Sequence, residues 1–279
     1  HLWQSITLVW ITTKSFLLVV KEEKGRVLRS GQITNSKKAV AEFLEPFKDD
    51  SAAVLESCRN WCVMHDWLEE IVDDVILANP YKVKAIAEAK IKTDKIDATV
   101  LADLLRADLV PQAYIAKRSV RDMRNLLRER IYFVRLRTMT KNRITTIFDR
   151  YPEEVRKEKA KTDLFGKKGR AQLENIDLRP ADRAIIDREL NFIDFINVFI
   201  KEVEEVISEN FNESKNAKHL KTIPGIGQFF SMLIDAEVGD INRFKNEKKF
   251  AAYIGLVPST YSSGGTTVNG RIIKRGNKL

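Results

Sequence analysis

Hydrophobic and polar positions divide the chain into three stretches with different rhythms. In the first, short apolar runs alternate with amphipathic ones. Residues 6–11 and 16–20 predict a strand pair or one bent strand, interrupted by Thr12, Thr13 and Lys14, and Gly25 opens a turn into an extended run at 26–33. Asn35 or Ser36 stands where a helix cap belongs, ahead of Val40, Phe43, Leu44 and Phe47 at helical spacing. Residues 52–55 predict a short buried strand that delivers Glu56 at its end. A helix through Met64, Leu68 and Ile71, a strand at 75–78 and a helix start at Pro80 follow. Ile96, Val100, Leu101, Leu104 and Leu105 then recur three and four apart. Strand and helix in alternation predict an α/β layer with parallel pairing at its centre. Ligands of such sheets collect where the strands end, and Glu56 falls there.

The second stretch is helical. Residues 119–150 contain neither proline nor glycine, and Met123, Leu127, Ile131, Val134, Leu136 and Ile144 keep helical spacing. Pro180 opens another long helix, whose stripe Ile186, Leu190, Ile193, Ile196, Ile200, Val203 and Ile207 is close to a heptad seam. Two such helices predict an antiparallel hairpin, or pairing with another subunit. In the third stretch, Ile223-Pro224-Gly225-Ile226-Gly227 lies between two helical patterns and is similar to the turn of a helix-hairpin-helix unit. Gly225 and Gly227 would there let backbone approach a phosphate, although an ordinary glycine turn satisfies the same pattern. The expected organisation is an α/β domain over 1–112, a coiled-coil region over 113–215 and a small, mainly helical domain over 216–279.

Charge adds a partner to this picture. The chain carries a net charge of +9 with pI near 9.4, and residues 117–170 hold 18 Lys and Arg against 7 Asp and Glu. That local excess exceeds the total, so the basic charge is concentrated in the helical stretch. A solvated basic face would account for some of it. Nucleic acid is the polyanion that best fits the rest, with Arg121, Arg124, Arg128, Arg135, Lys141 and Arg143 as contacts. The apolar run at 6–20 is too interrupted to be a membrane span or a signal peptide. Two cysteines, Cys58 and Cys62, suggest no disulfide framework and fit a reducing, cytoplasmic setting. They share a helical face with His65, a pattern met by a zinc site and more often by small core residues.

The chemistry-bearing residues are few. Asp94 and Asp97, in KTDKIDA at 92–98, stand three apart at the mouth of a helix and can point the same way. They would offer a divalent ion two hard oxygen ligands, or simply complement the helix dipole. Near the end, GLVPSTYSSGG (255–265) presents serines beside glycines, followed by Arg271, Lys274 and Arg275. This arrangement suits a hydroxyl nucleophile on a loop with cations for a phosphate.

KTDKIDA with its leucine-rich helix, and the array IPGIG, RF, AAYIGLVPS, SSGG, GRI and KRGN, together resemble the insertion-sequence-110 family of transposases, relatives of the pilin-gene DNA invertases. The resemblance implies a RuvC-like, RNase H-type N-terminal domain, a coiled-coil middle and a C-terminal domain bearing a serine nucleophile. It implies recombination of donor and target DNA, Mg2+ as cofactor, a structured guide RNA as partner, and a homodimer or tetramer. The family's acidic quartet carries over onto Glu56, Asp94 and Asp97, and its nucleophile onto Ser263, with Ser262 as the adjacent alternative. The first Asp of the quartet has no counterpart: Trp10, with Ile11 as the alternative, occupies its position. The chain opens on His1 and stops at Leu279 inside the last motif, so a truncated or degenerate copy is expected, with reduced or no activity. A DNA- or RNA-binding remnant without catalysis, and a RuvC-like nuclease that needs the quartet but not Ser263, are the competing expectations.

Overall fold

The structure is a computed structural model, describing residues 4–12, 15–57, 60–86, 93–153, 155, 163–273 and 276; for β1 apart from Ile6, and for Thr267, the description is of the backbone. The chain separates into two compact units, residues 1–115 and 116–279.

The first unit is built on a five-stranded sheet. Its strands are β1 (Gln4–Thr12), β2 (Ser15–Glu22), β3 (Val27–Thr34), β4 (Ser51–Glu56) and β5 (Asp74–Ala78), in the order β3-β2-β1-β4-β5. The first three pair antiparallel, and β1–β4–β5 pair parallel. Gly25, at φ +86°, supplies the left-handed residue of the turn that joins β2 to β3. Helices α1 (Lys37–Leu44), α2 (Trp61–Leu68), α3 (Pro80–Ile86) and α4 (Asp94–Arg106) complete the unit. Ser36, not Asn35, caps α1, its hydroxyl accepting from the Ala39 amide at 3.2 Å.

Alternation along the strands sorts side chains between two cores. Phe16, Leu18, Val20, Ala53, Leu55 and Leu77 pack with Val40, Phe43 and Leu44 of α1 and with Met64 and Leu68 of α2. On the other face Val19, Ala52, Val54 and Ala78 pack with Ala98, Leu101 and Leu105 of α4. The near-continuous burial of β4 follows from having a helix on each side.

The second unit contains two long helices, α5 (Arg118–Phe148) and α7 (Pro180–Glu213), with α6 (Lys167–Asn175) between them in sequence. One core joins Ile144, Ile147 and Phe148 to Ile186 and Ile193. Another joins Leu127 to Ile207 and Phe211. The end of α5 therefore meets the start of α7 and the reverse, which is the antiparallel hairpin, one of the two arrangements expected from the sequence. The short helices α8 (Lys215–Lys221), α9 (Gln228–Val238) and α10 (Glu247–Ile254) follow. The chain then forms an antiparallel hairpin of β6 (Pro258–Ser263) and β7 (Thr266–Ile272). The expectation of a serine loop in a mainly helical segment is corrected here: the serines lie on a strand. Gly264 and Gly265, with φ of +56° and +82°, make the two-residue turn that such a hairpin requires.

Candidate active site

Glu56 ends β4, and its register follows Val54, so it belongs to the face covered by α4. Thr93 starts α4, its hydroxyl accepting from the Ile96 amide at 3.2 Å, and this places Asp94 and Asp97 in the first turn. The other end of α4 is anchored. The Lys21 ammonium reaches Asp103 at 2.6 Å, and Arg106 donates to the Glu23 carbonyl at 3.3 Å. Lys21 pairs with Ser5, which pairs with Ala52 at the start of β4. From Asp103 back to Asp94 the helix rises about 13 Å, and from Ala52 to Glu56 the strand rises about 13 Å. Asp94, Asp97 and Glu56 consequently occupy the same end and the same face of the sheet.

Asp94 is exposed, and Asp97 and Glu56 are half-buried. The three offer only hard oxygen donors, a set that fits Mg2+ in chemistry. Their oxygens do not close to within 4.8 Å of one another; among the described residues the only three ligands gathered that tightly are those of His65, Asp66 and Glu69.

Strand register bears on the fourth position. Residue 10 pairs with Phe16, which packs toward α1 and α2, whereas residue 9 pairs with Leu17 on the α4 side. Directly opposed residues share a face, so position 10 is in register with the face away from Glu56. Ile11 is the extra residue at a bulge between Trp10 and Thr12. Of the two positions considered for the missing aspartate, residue 10 thus lies in the register of the other face and Ile11 lies at the bulge.

In the second unit Gly225, at φ +91°, forms the turn between α8 and α9, and Gly227 stands at the N-cap of α9. A Cβ at either glycine would meet nothing within 4 Å, so the turn is open on that side. Ser262 and Ser263 pair with Thr267 and Thr266 at the tip of the β6–β7 hairpin, and both are exposed. As neighbours on a strand they project from opposite faces. Arg271 is exposed on β7; Lys274 and Arg275 lie outside the described residues, as does Cys58.

The basic candidates of α5 divide by what they touch. Arg124 donates to the Ala236 and Glu237 carbonyls at 2.7 and 3.1 Å, satisfying the end of α9. Arg128 holds the Glu237 carboxylate in a two-pronged contact with its shortest arm at 2.8 Å, and Glu237 is buried. A phosphate would have to displace these bonds. Arg143 pairs with Glu189 at 3.0 Å, and Lys141 sits 5.0 Å from the Phe165 ring centre. Arg135 is exposed and Arg121 half-buried.

Sequence reading missed Glu237, whose arginine partners are more than a hundred residues away. It also missed what holds the C-terminal motifs together. The Arg243 guanidinium stacks on Phe244 and Tyr253 at 4.0 and 4.5 Å, and the Tyr253 hydroxyl donates to the Glu237 carbonyl at 2.9 Å. Gly255 ends α10 at φ +80°, and Gly276 crosses it backbone against backbone; a Cβ on Gly255 would lie 2.8 Å from the Gly276 nitrogen. The RF, AAYIG and KRGN motifs thus carry structural residues.

Two family models match the chain. One, a DEDD-type model of the IS110 group described as "Transposase", covers residues 11–152. Another, described as "Transposase IS116/IS110/IS902 family", covers residues 217–279. The chain belongs to the IS110 family of transposases. The transposase for insertion sequence element IS1111A of Coxiella burnetii is 28% identical over 215 residues, 73% of this chain and 55% of that protein. The transposase for IS1328 of Yersinia enterocolitica is 37% identical over 79 residues, 28% of this chain and 24% of its own length. A probable family 20 transposase of Pseudomonas aeruginosa is 31% identical over 99 residues, 35% of this chain and 29% of its own. The chain thus spans about half, or less, of the curated relatives it matches. In this IS110-family chain the first matched stretch contains Glu56, Asp94 and Asp97, and the second contains the glycine turn and both serines. No described helix is long and apolar enough to cross a membrane.

Proposed function

We propose that this chain works in DNA transposition as a recombinase, with a RuvC-like, RNase H-type domain over 1–112, a coiled-coil region over 113–215 and a C-terminal domain over 216–279 that contains a helix-hairpin-helix turn. The observation that carries the reading is the arrangement at one sheet end, where β4 runs parallel to β1 and delivers Glu56 to the face on which α4 begins with Asp94 and Asp97. Glu56, Asp94 and Asp97 would hold Mg2+, which when bound neutralises and orients a scissile phosphate. The chain's own residues supply the rest. The Gly225–Gly227 turn and the start of α9 bind backbone phosphates. Arg135 and Arg143 on α5, and Arg271 on β7, add cationic contacts to DNA and to a structured guide RNA.

Ser263 is the proposed nucleophile, with Ser262 as the alternative. Its Oγ bonds to phosphorus, the bond to the leaving deoxyribose oxygen breaks, and the hydroxyl proton is transferred to that oxygen. The exchange keeps one phosphodiester-type bond throughout, so the DNA can be rejoined without external energy. Carboxylates and serine belong to different domains, and the assembly in which they work is a homodimer or tetramer acting in the cytoplasm. In this chain recombination is weak, because Ile11 stands at the position of the first Asp.

Incubation with labelled DNA, guide RNA and Mg2+ tests the reading. A covalent protein–DNA adduct is expected, lost in Ser263→Ala; an adduct that survives both Ser263→Ala and Ser262→Ala refutes the serine assignment. The missing carboxylate also favours a second reading, a nucleic-acid-binding remnant. Salt-dependent RNA binding without any adduct would select it, and nicking that persists in both serine variants would select a RuvC-like nuclease.

A further inference from the structure

The carboxylates at the sheet end belong to the proposed recombinase site, but the face of α2 that carries His65 does not. The His65 side chain is only 6% exposed, and its Nδ1 has no hydrogen-bond partner. A polar nitrogen buried in this way is costly unless something binds it. The Trp61 ring meets the imidazole edge to face at 6.1 Å and 84°, which fixes its plane. Nδ1 faces two carboxylates, Asp66 Oδ1 at 3.5 Å and Glu69 Oε2 at 3.4 Å, and the three ligand atoms lie within 4.8 Å of one another.

The distances discriminate between a proton and a metal as the element that joins them. A charged N–H···O bond closes to about 2.7–2.9 Å, and neither contact does. A four-coordinate ion with bonds of about 2.0–2.2 Å sets neighbouring ligands about 3.3–3.5 Å apart along the edge of a tetrahedron, and both contacts have that length. An octahedral Mg2+ at about 2.0–2.1 Å would need edges of about 2.9 Å and prefers oxygen to imidazole.

We propose that His65, Asp66 and Glu69 form a binding site for a divalent transition-metal ion, zinc being the best fit to one imidazole and two carboxylates. Asp66 and Glu69 are 31% and 59% exposed at the side chain, so the fourth position opens to solvent and takes water. The cysteine set suggested by spacing is replaced: Cys62 is not among the gathered ligands, and Cys58 lies outside the described residues. Binding ties successive turns at the end of α2, where Glu69 already donates its amide to the His65 carbonyl at 2.9 Å. The site is independent of the recombinase reading and uses none of its residues.

The untagged full chain, stripped with a chelator and titrated with Zn2+ or Co2+, tests this. One equivalent should bind, Co2+ should give the intense visible bands of four-coordinate cobalt, and Zn2+ should raise the melting temperature, while equal Mg2+ does neither. Glu69→Gln and Asp66→Asn change solvent-accessible groups and should leave the apo melting temperature in place. Each should weaken Zn2+ by more than the about 10–100-fold that loss of an outer partner costs. Absence of cobalt bands and of a Zn2+ shift overturns the proposal, as does an affinity unchanged in both variants.

Discussion

Asp182 shows how much one side chain organises in the second unit. Tyr151 donates its hydroxyl to Asp182 Oδ2 at 2.7 Å, and Arg179 and Arg150 approach the same carboxylate at 2.8 and 3.4 Å. The tyrosine bond first, and then the Arg179 and Arg150 guanidinium groups, hold its carboxyl below the usual range. Because the folded value is the lower one, the stabilisation is complete above the ordinary carboxylate value and is lost as the pH falls through the folded value. Asp182→Asn should therefore lower the melting temperature at neutral pH, with the gap to the parent closing in strong acid; thermal melts across pH 2–7 (about the range that brackets an Asp) check this. A gap independent of pH would mean that packing, not charge, sets its worth. At the same scale, the β1 register predicts that Ile11→Asp raises Mg2+ affinity in calorimetry and Trp10→Asp does not; the reverse order would show that the strand is shifted by one.

Among the elements, the long hairpin of α5 and α7 depends on a few filled positions. Leu127 is fully buried between Ile207, Phe211 and α9, and Leu127→Ala should cost about 2–5 kcal/mol in urea unfolding. Gly276→Ala should also destabilise, since its Cβ would run into the Ile254 carbonyl oxygen and carbon. Proteolysis would then release the β6–β7 hairpin before the helices; unchanged protection of β6–β7 would mean that the backbone crossing is not what holds it.

These elements also show what the chain discloses on reading. Strands, the Ser36 or Asn35 cap and the stripe of α7 are legible because their signals lie within one or two turns of each other. The β6–β7 hairpin is legible too: a Gly-Gly pair between serines and threonines is a hairpin signal, and taking it for a loop gives chemistry precedence over pattern. The partners of Arg124 and Arg128 are not legible, because Glu237 reaches them only through the packing of α9 on α5. His65 is ambiguous for a related reason. Helical spacing links it to Cys58 and Cys62 as readily as to Glu69, and only burial and direction separate the two.

For the molecule as a whole, the basic excess at 117–170 is smaller as a binding resource than its charge count implies, since part of it holds the unit together. The proposed nucleic-acid binding should separate along that line. Arg135→Ala should leave stability unchanged and reduce the slope of log K against log salt by about 0.7–0.9 for each phosphate no longer neutralised. Arg128→Ala, which removes the nearest partner of the buried Glu237 carboxylate and leaves Arg124 at 3.9 Å, should cost about 1–3 kcal/mol of stability. Paired salt titrations and urea melts of the two variants check both; a full salt slope in Arg135→Ala would place the phosphate-binding cations elsewhere.

The two serines at the hairpin tip have a consequence for the way relatives of this chain could diverge. Because β6 turns its side chains over at every step, Ser262 and Ser263 are not near-duplicates but opposite settings of a two-position choice. A single residue inserted into β6 ahead of them would exchange their faces while keeping every motif letter intact. Spacing between Gly255 and the serine pair thus sets which face each serine occupies, a variable that a substitution scan would never sample.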